Sequence, residues 1–296
     1  HGMPIEHAAI KELGLNRNEL DPLTLRRKCH DFALQWVDIQ REDFKRLGVL
    51  GDWENPYITL HHSFEAEQIR VFGTMANKGY IYKGEKTVYW CPHCETALAE
   101  AEIEYGEQKT PTIFVKMPLV KDNGQTPEAA KGKKAYMVIW TTTPWTVPTN
   151  FAIVVGADID YVEVRPTEGK FAGKKFYLGK PLLGSYEKEL GENYEIVREL
   201  KGAEMEGWRY YPVFPYFAGD ENAAEGKVPG PEGYQIFTAD YVDTVEGTGL
   251  VHQAPYGEDD MNTLNAKGIK SVDVLDAGCK FTSLCPDYEG MYVFDA

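Results

Sequence analysis

Long apolar runs are absent from this 296-residue sequence, and no segment approaches the roughly 18 to 20 consecutive apolar residues that span a membrane. The first residues, His1-Gly2-Met3-Pro4, do not have the charged-then-apolar pattern of a secretory signal. The chain has only five cysteines and no Asn-x-Ser/Thr glycosylation acceptor, which argues against a disulfide-rich secreted framework. These absences predict a cytoplasmic protein whose cysteines serve as free thiols or metal ligands.

Phosphate-binding features are also scarce, because neither a Walker loop nor a GxGxxG segment occurs. Lys and Arg number 31 against 46 Asp and Glu, which gives a net charge of -15. This charge repels phosphate, so the chain alone should bind nucleic acid weakly unless local basic patches or a larger assembly compensate. Small lysine clusters exist, although such clusters are commonly solvated surface. They are Lys131, Lys133 and Lys134, and Lys170, Lys174 and Lys175.

The composition itself is that of a globular protein, with 43% hydrophobic, 12% aromatic and 26% charged residues. Its length predicts one large domain plus a smaller piece. Apolar positions recur at three to four residue steps between Asp21 and Leu47, which predicts an amphipathic helix that ends at Gly48. A second helix is predicted from about Ser63 to Asn77.

After Thr87 the sequence changes to short β-branched and aromatic runs bounded by Gly and Pro, which predicts strands of a barrel or sandwich. The segment from Pro215 to Gly233 is rich in Gly, Pro, Ala and Asp and predicts an exposed loop or insertion. The predicted strands are Thr112–Val115, Ala135–Trp140, Ala152–Val155, Tyr161–Arg165, Gln235–Thr238 and Gly249–His252.

The most unusual run is Trp140–Asn150 (WTTTPWTVPTN), called here the threonine segment. Threonines favour strands, so a plain β-rich turn accounts for it. Threonine hydroxyls also both donate and accept hydrogen bonds, so a cluster of them can hold a water and a ribose hydroxyl together. The segment therefore predicts either a turn or a hydroxyl-lined pocket.

A second run, Glu246–Asp260 (EGTGLVHQAPYGEDD), is called here the histidine segment. A lone histidine after an apolar strand is commonly structural, and acids after a glycine commonly begin a helix. Here His252 and the acids lie within nine residues, flanked by glycines that permit close approach of a ligand. A carboxylate at Asp260 could bind a substrate ammonium group.

Both segments resemble the editing motifs of the isoleucyl, valyl and leucyl tRNA synthetases, which are class I aminoacyl-tRNA synthetases. His1–Glu6 (HGMPIE) is similar to a segment of the isoleucine enzymes, as is Asp38–Gly48 followed by Asp52-Trp53. The valine and leucine enzymes usually carry Arg-Pro where this chain has Thr143-Pro144. With Tyr89–Cys94 (YWCPHC), the motifs cover nearly the whole chain in the family's order and favour the isoleucine enzymes.

The resemblance implies an α+β fold, with a mostly antiparallel β-barrel editing domain and a helical segment from the edge of the class I, Rossmann-type catalytic domain. Residues 1–110 would form that edge and half of a zinc-ribbon-like stem, and residues 111–296 the editing domain. No HIGH-type segment precedes His1 and no KMSKS-type segment follows, so we expect an internal fragment that does not activate amino acids with ATP.

The implied reaction is hydrolysis of valine misattached to tRNA(Ile), by direct attack of a positioned water. Thr141, Thr142 and Thr143 would surround the ester, and Asp260 would bind the α-ammonium group. The usual family spacing from histidine to the second acid is nine residues and here it is eight, so Asp259 is the alternative. The remaining substrate-binding residues implied are Trp145, Thr146, Asn150 and His252, the last of which would help to exclude isoleucine.

Cys91 and Cys94 would supply half of a tetrahedral zinc site, whose second Cys pair lies further along the family's sequences. The resemblance also implies that editing needs no cofactor and that ATP serves only the full-length enzyme. The partners it implies are tRNA(Ile) and the remainder of a monomeric synthetase. Three other hypotheses stay open. They are a metal-dependent hydrolase built on Cys91 and Cys94, an inert tRNA-binding or structural insertion, and the editing domain of a valine enzyme.

Overall fold

The structure is a computed structural model that describes residues 2–14, 20–107, 109–121, 135–191, 193–217 and 234–296. It divides into two compact units, His1–Gly84 and Glu85–Ala296. The domain boundary expected between residues 110 and 111 stays a prediction. Lys131, Lys133, Lys134 and residues 218–233 of the expected loop lie outside the described residues.

The first unit contains three helices in its described residues: α1 (Gly2–Glu12), α2 (Pro22–Arg46) and α3 (His62–Asn77). Asp21 begins α2, because its carboxylate accepts hydrogen bonds from the backbone N–H groups of Leu23 and Thr24 at 3.1 and 3.0 Å. Gly48 follows α2 with a φ of +77°, which only glycine adopts without strain. Both predicted helices, Asp21–Leu47 and Ser63–Asn77, are confirmed.

The second unit begins with a hairpin of β1 (Tyr89–Cys91) and β2 (Thr96–Leu98), which pair antiparallel. The indole N–H of Trp90 donates to the carbonyl of Ala277 at 2.8 Å and so ties the hairpin to a distant loop of the same unit. No helix in the described ranges is both long and apolar enough to cross a membrane.

The described part of this unit also holds a nine-stranded sheet in the order β11-β5-β10-β9-β3-β4-β7-β6-β8. Two short helices, α4 (Glu187–Leu190) and α5 (Glu258–Ala266), accompany it. The strands are β3 (Ile113–Lys121), β4 (Ala135–Thr141), β5 (Ala152–Val155), β6 (Asp160–Pro166), β7 (Lys175–Gly179), β8 (Tyr194–Lys201), β9 (Arg209–Tyr210), β10 (Gln235–Thr238) and β11 (Leu250–Gln253).

The expectation of a mostly antiparallel barrel requires correction, although helices and a large β unit are both present. Two pairs, β10 with β5 and β4 with β7, are parallel, so the sheet is mixed. Between the described strands no pairing joins β11 to β8, so the sheet is not a closed barrel. The spacing of short strands predicts how many there are, but ladder order and closure depend on contacts distant in sequence.

The sheet nevertheless curls, since the backbone N–H of Gly179 at the end of β7 donates to the carbonyl of Thr248 at 2.7 Å. The hydroxyl of the buried Tyr161 on β6 donates to the carbonyl of Gly249 at 2.6 Å. These bonds position the entry to β11, where the histidine segment runs.

Two hydrophobic clusters stabilise the sheet from opposite sides. The first is built on β3, β4, β6 and β7, with Met137, Tyr161 and Trp208 among its fully buried side chains. The second packs Phe151 and Val154 against Leu264 of α5, which fixes that helix beside β5. Burial alternates along β4, so Tyr136, Val138 and Trp140 share its half-exposed outer face. The ends of β4 and β11 and the start of α5 are therefore positioned by buried cores.

Candidate functional site

One cleft of about 580 Å³ lies where the threonine and histidine segments meet. Its walls come from three stretches of chain: the end of β4, the connection between β10 and β11, and β11 with the start of α5. The lining residues are Trp140, Thr141, Thr142, Thr143, Trp145, Thr146, Tyr241, Asp243, Glu246, Gly247, Thr248, Gly249, Leu250, Val251, His252, Ala254, Tyr256, Gly257 and Asp260.

The threonine segment turns sharply where β4 ends at Thr141. The Thr141 hydroxyl accepts a hydrogen bond from the backbone N–H of Thr143 at 3.0 Å, and a 3₁₀ helix then runs over Pro144–Thr149. Thr141 is buried, whereas Thr142 is exposed. The turn therefore places Thr142 at the open part of the cleft, while the Thr141 hydroxyl holds the backbone.

His252 lies against this turn, and its hydrogen bonds define its tautomer. The Thr146 hydroxyl donates its only proton to the carbonyl of Thr143 at 2.7 Å, so it accepts from His252 Nε2, which lies 3.0 Å away. Nδ1 of His252 is therefore the unprotonated nitrogen, and it is buried with no hydrogen-bond partner in the structure. Burial lowers the pKa of the imidazole from 6.5 to about 4, so His252 is neutral at pH 7.

Asp260 lies in the first turn of α5, with its carboxylate facing the cleft. Burial, followed by the charge of Asp259, raises the pKa of Asp260 to about 6, while the Gly257 N–H and the Gln253 amide act to lower it. A Cβ atom at Gly257 would lie 2.7 Å from Oδ2 of Asp260, so glycine makes room for the carboxylate. Asp260 is thus mostly ionised at pH 7.

Asp259, the other candidate for the ammonium site, is exposed and does not line the cleft. Asn150 does not line it either. Its amide donates to the carbonyl of Ala152 at 2.9 Å, and its Oδ1 accepts from Tyr210 at 2.6 Å. Asn150 is buried and its hydrogen bonds stabilise the turn into β5, so its side chain has a structural role.

A buried amide links Asp260 to a residue that the sequence did not indicate. The hydroxyl of Tyr241 donates to Oε1 of Gln253 at 2.6 Å, which turns the amide nitrogen of Gln253 toward the carbonyl of His252 and toward Asp260. Gln253 is fully buried. The Tyr241 hydroxyl also lies 3.2 Å from Oγ1 of Thr263 on α5. Tyr241 and Gln253 therefore connect the cleft to α5, the helix that carries Asp260.

Aromatic side chains form part of the wall of the cleft. The rings of Trp145 and Tyr256 lie 4.8 Å apart between centroids, and both line the cleft. Sequence reasoning assigned Trp145 to the pocket but gave no role to Trp140, Tyr241, Asp243 or Tyr256. Tyr241 and Asp243 precede the histidine segment, and only the return of the chain from β10 to β11 brings them to the site.

Cys91 and Cys94 lie at the β1–β2 hairpin, where the Cys94 N–H approaches the Cys91 sulfur at 3.3 Å. This hydrogen bond is the main reason that the pKa of the Cys91 thiol is lowered. Throughout the described ranges, no group of three or more His, Cys, Asp or Glu side chains is placed to hold a metal ion. The residues present do not fit a complete zinc site, and zinc binding stays a prediction.

The cleft is suited to hydrolysis by bound water. It combines hydroxyl groups, the carboxylates of Asp243, Glu246 and Asp260, and a neutral imidazole, and among the described residues its lining contains no serine or cysteine. Nucleophilic activation would require His252 to accept a proton from a hydroxyl. Here His252 donates to Thr146 instead, so Thr146 is not activated as a nucleophile.

Comparisons with known proteins show the family of the chain. The family described as tRNA synthetases class I (I, L, M and V) matches residues 1–245. An isoleucine–tRNA ligase of Bifidobacterium longum is 55% identical over 305 residues, which cover 100% of this chain and 27% of that protein. The isoleucine–tRNA ligase of Syntrophomonas wolfei is 44% identical over 298 residues, covering 100% of this chain and 29% of that protein. The chain therefore spans less than a third of the length of these relatives.

Among solved structures, the crystal structure of GlLeuRS-CP1 has a TM-score of 0.35 at 16% identity, over 49% of this chain and 55% of that one. The cytosolic leucyl-tRNA synthetase editing domain of P. knowlesi has a TM-score of 0.35 at 12% identity, over 48% of this chain and 55% of that one.

Proposed function

Because this chain belongs to the class I tRNA synthetases, we propose that its cleft hydrolyses the ester of a wrong amino acid on tRNA. The substrate proposed is valine attached to tRNA(Ile), and the parent protein is an isoleucine–tRNA ligase. The relatives named above carry that ligase activity in their names, and this chain would contribute the proofreading part.

One observation carries the proposal: the threonine segment, His252 and Asp260, which are separate in sequence, line the same cleft. An ammonium group beside the Asp260 carboxylate would form a charge-assisted hydrogen bond. That interaction selects an aminoacyl ester over other esters, because only the aminoacyl ester carries a cation next to its carbonyl. The exposed acid Asp259 is the weaker candidate for this role.

The proposed reaction is direct attack by water. Threonine hydroxyls of the turn would hold the water and the ribose hydroxyl next to the ester carbonyl. The water oxygen bonds to the carbonyl carbon, and the bond from that carbon to the ribose oxygen breaks. The leaving ribose oxygen takes a proton from the attacking water. Placement of the water and stabilisation of the oxyanion supply the rate enhancement.

His252 would act as a wall of the side-chain pocket and not as a base. Its imidazole is neutral and is fixed by the Thr146 hydroxyl, so it presents a rigid surface beside the bound side chain. A pocket that admits valine and rejects isoleucine has to exclude one methylene by contact. A rigid imidazole fulfils that requirement better than a charged, hydrated one.

Such a site is needed because one methylene is worth only about 1 to 3 kcal/mol in an apolar pocket, a figure for which the isoleucine enzymes are the standard illustration. Synthesis alone would therefore misattach valine at an appreciable frequency. ATP-dependent ligation and most contacts to tRNA are proposed to lie in the rest of a longer, monomeric chain.

The net charge of -15 favours one alternative, an insertion that binds or supports tRNA without chemistry of its own. The deciding experiment measures loss of label from Val-tRNA(Ile) and Ile-tRNA(Ile) with the 296-residue chain. The variants are Thr142→Ala and Asp260→Ala, and Asp259→Ala is the matched control. Faster loss of valine than of isoleucine, abolished by Asp260→Ala and retained in Asp259→Ala, is the expected result.

Folded protein that hydrolyses neither ester would overturn the proposal in favour of the inert insertion. Activity lost on addition of a chelator would instead favour the metal-dependent hydrolase. Loss of activity in Asp259→Ala but not in Asp260→Ala would move the ammonium site to the exposed acid.

A further inference from the structure

The outer face of β3 and β4 carries a group of lysines that the cleft does not use. Lys116 of β3 and Lys170 and Lys174 of the β6–β7 loop converge on the ring of Phe171, at 5.2, 5.6 and 5.6 Å from its centroid. Lys116 also lies 5.4 Å from the ring of Tyr136 on β4. These three lysines are called here the lysine cluster.

The lysine cluster differs from neighbouring lysines in lacking acidic partners. Within the described residues none of its members forms an ion pair, whereas Lys175 pairs with Glu163 and Lys180 with Glu199. Glu168, the acid of the same loop, is held by the amide of Asn193 at 2.6 Å. Three unneutralised cations on one ring, in a chain of net charge -15, indicate a surface that binds an external anion.

The cluster is continuous with the cleft. Side chains at Tyr136, Val138 and Trp140 share one face of β4, and Trp140 lines the cleft. The β3–β4 register places Phe114 opposite Trp140 and Lys116 opposite Val138. Phe114 is 47% exposed, so an aromatic ring lies on this face between the cleft and the lysines.

We propose that this face binds the single-stranded 3′ end of the RNA whose terminal ester enters the cleft, an inference that rests on the proposed function. A base would stack on Phe114, and the lysine cluster would contact the backbone phosphates that follow. Exposed aromatics beside lysines are the usual platform for single-stranded nucleic acid. From Trp140 to Tyr136 is a distance of about 13 Å along β4, which about four stacked nucleotides span.

The first measurement is fluorescence anisotropy of a labelled 12-nucleotide RNA that ends in CCA, titrated with the whole chain at several salt concentrations. The test variant is the triple change Lys116→Gln, Lys170→Gln and Lys174→Gln, which removes charge but keeps an aliphatic stem over Phe171. The matched control, Lys180→Gln with Lys188→Gln and Lys201→Gln, removes the same charge from lysines elsewhere on the same unit.

We expect the cluster variant to bind at least tenfold more weakly than the control variant, with the slope of log affinity against log salt smaller by about two. Phe114→Ala should weaken binding with the salt slope unchanged, because stacking releases no counterions. Equal binding by the cluster and control variants would overturn the proposal. A cluster variant that loses binding to phosphatidylserine vesicles but keeps binding RNA would also overturn it, in favour of a membrane surface.

A second measurement separates this proposal from the proposed function. Valyl-adenosine carries the ester but no phosphate, so its hydrolysis should be the same in the cluster variant and the unmodified chain. Hydrolysis of valyl-adenosine that falls with the cluster variant would contradict a phosphate-binding role. If no variant hydrolyses it while RNA binding still depends on the cluster, the surface stands and the proposed function fails.

Discussion

His252 donates a hydrogen bond from Nε2 to Oγ1 of Thr146 over 3.0 Å, and the two residues are 106 positions apart in sequence. This bond joins the two segments that carry the cleft. It also fixes the imidazole in one tautomer, because the threonine proton is already donated to Thr143. The imidazole is thereby held as a rigid neutral wall.

His252→Gln should change how stability depends on pH. The pKa of His252 in the folded protein, about 4, is lower than its ordinary value of 6.5. The wild-type chain should therefore lose on the order of 2 to 3 kcal/mol of this contribution to its stability as pH falls from 6.5 to 4. The glutamine variant should lack that loss. Urea unfolding at pH 7.0, 5.5 and 4.5 measures it, and parallel curves for the two proteins would refute the assignment.

Asp260→Asn should alter the pH dependence of stability in the opposite direction, because the pKa of Asp260 is raised in the folded state. The folded pKa of Asp260, about 6, is higher than its ordinary 3.8, so ionisation at neutral pH costs the folded state free energy. We expect the variant to be more stable than wild type at pH 7 by on the order of 1 to 2 kcal/mol, with the difference vanishing near pH 4. Ester hydrolysis should be lost in the same protein. A variant destabilised at pH 7 would show that the carboxylate serves the fold and not the substrate.

Much of the fold, and part of the lining of the cleft, could be predicted from the sequence. Helices α2 and α3 follow from apolar periodicity and from the Asp21 and Gly48 end signals. Strands β5 and β10 occupy the predicted ranges Ala152–Val155 and Gln235–Thr238, because short β-branched runs between turn residues have few alternatives.

What could not be predicted depends on distant contacts. Strand β8 was missed because its sequence, YEIVRELK, is charged and follows its partner β6 by some thirty residues, so only pairing with β6 makes it a strand. Parallel pairing of β4 with β7 likewise leaves no local signal. Tyr241 reaches the cleft through the connection between β10 and β11. Asn150 does not line the cleft, because the hydroxyl of Tyr210, 60 residues away in sequence, donates to its Oδ1.

Tyr241→Phe tests whether Gln253 positions the carboxylate. Removal of the hydroxyl leaves the buried Oε1 of Gln253 without a donor, and the amide becomes free to turn away from Asp260. We expect a loss of roughly 1 kcal/mol in stability and a several-fold fall in the hydrolysis rate, with the acidic limb of the pH profile moved to higher pH. Tyr211→Phe, at an exposed tyrosine, is the control. An unchanged pH profile would rule out a positioning role.

Gly249→Ala and Gly169→Ala form a matched pair, because both glycines have a φ of +76°. A Cβ atom at Gly169 meets nothing within 4 Å, whereas at Gly249 it would lie 3.3 Å from Gly179 Cα and 3.4 Å from the Tyr161 ring. We expect a cost of about 1 kcal/mol at Gly169 from backbone strain alone, and roughly 3 kcal/mol at Gly249. Thermal unfolding measures both losses of stability. Equal losses would mean that Gly179 and Tyr161 can move away from a Cβ atom at position 249 at little cost in free energy.

The separation of the two segments along the chain also sets when the cleft can form during synthesis. Strands β3 and β4 can pair once the threonine segment has been made, but the His252 partner of Thr146 follows 106 residues later. At about 5 to 20 residues per second on the ribosome, this interval lasts roughly 5 to 20 s. A nascent chain therefore exposes the threonine turn before the carboxylate of Asp260 is in place, and the proposed ester hydrolysis would appear only when the histidine segment has emerged and folded.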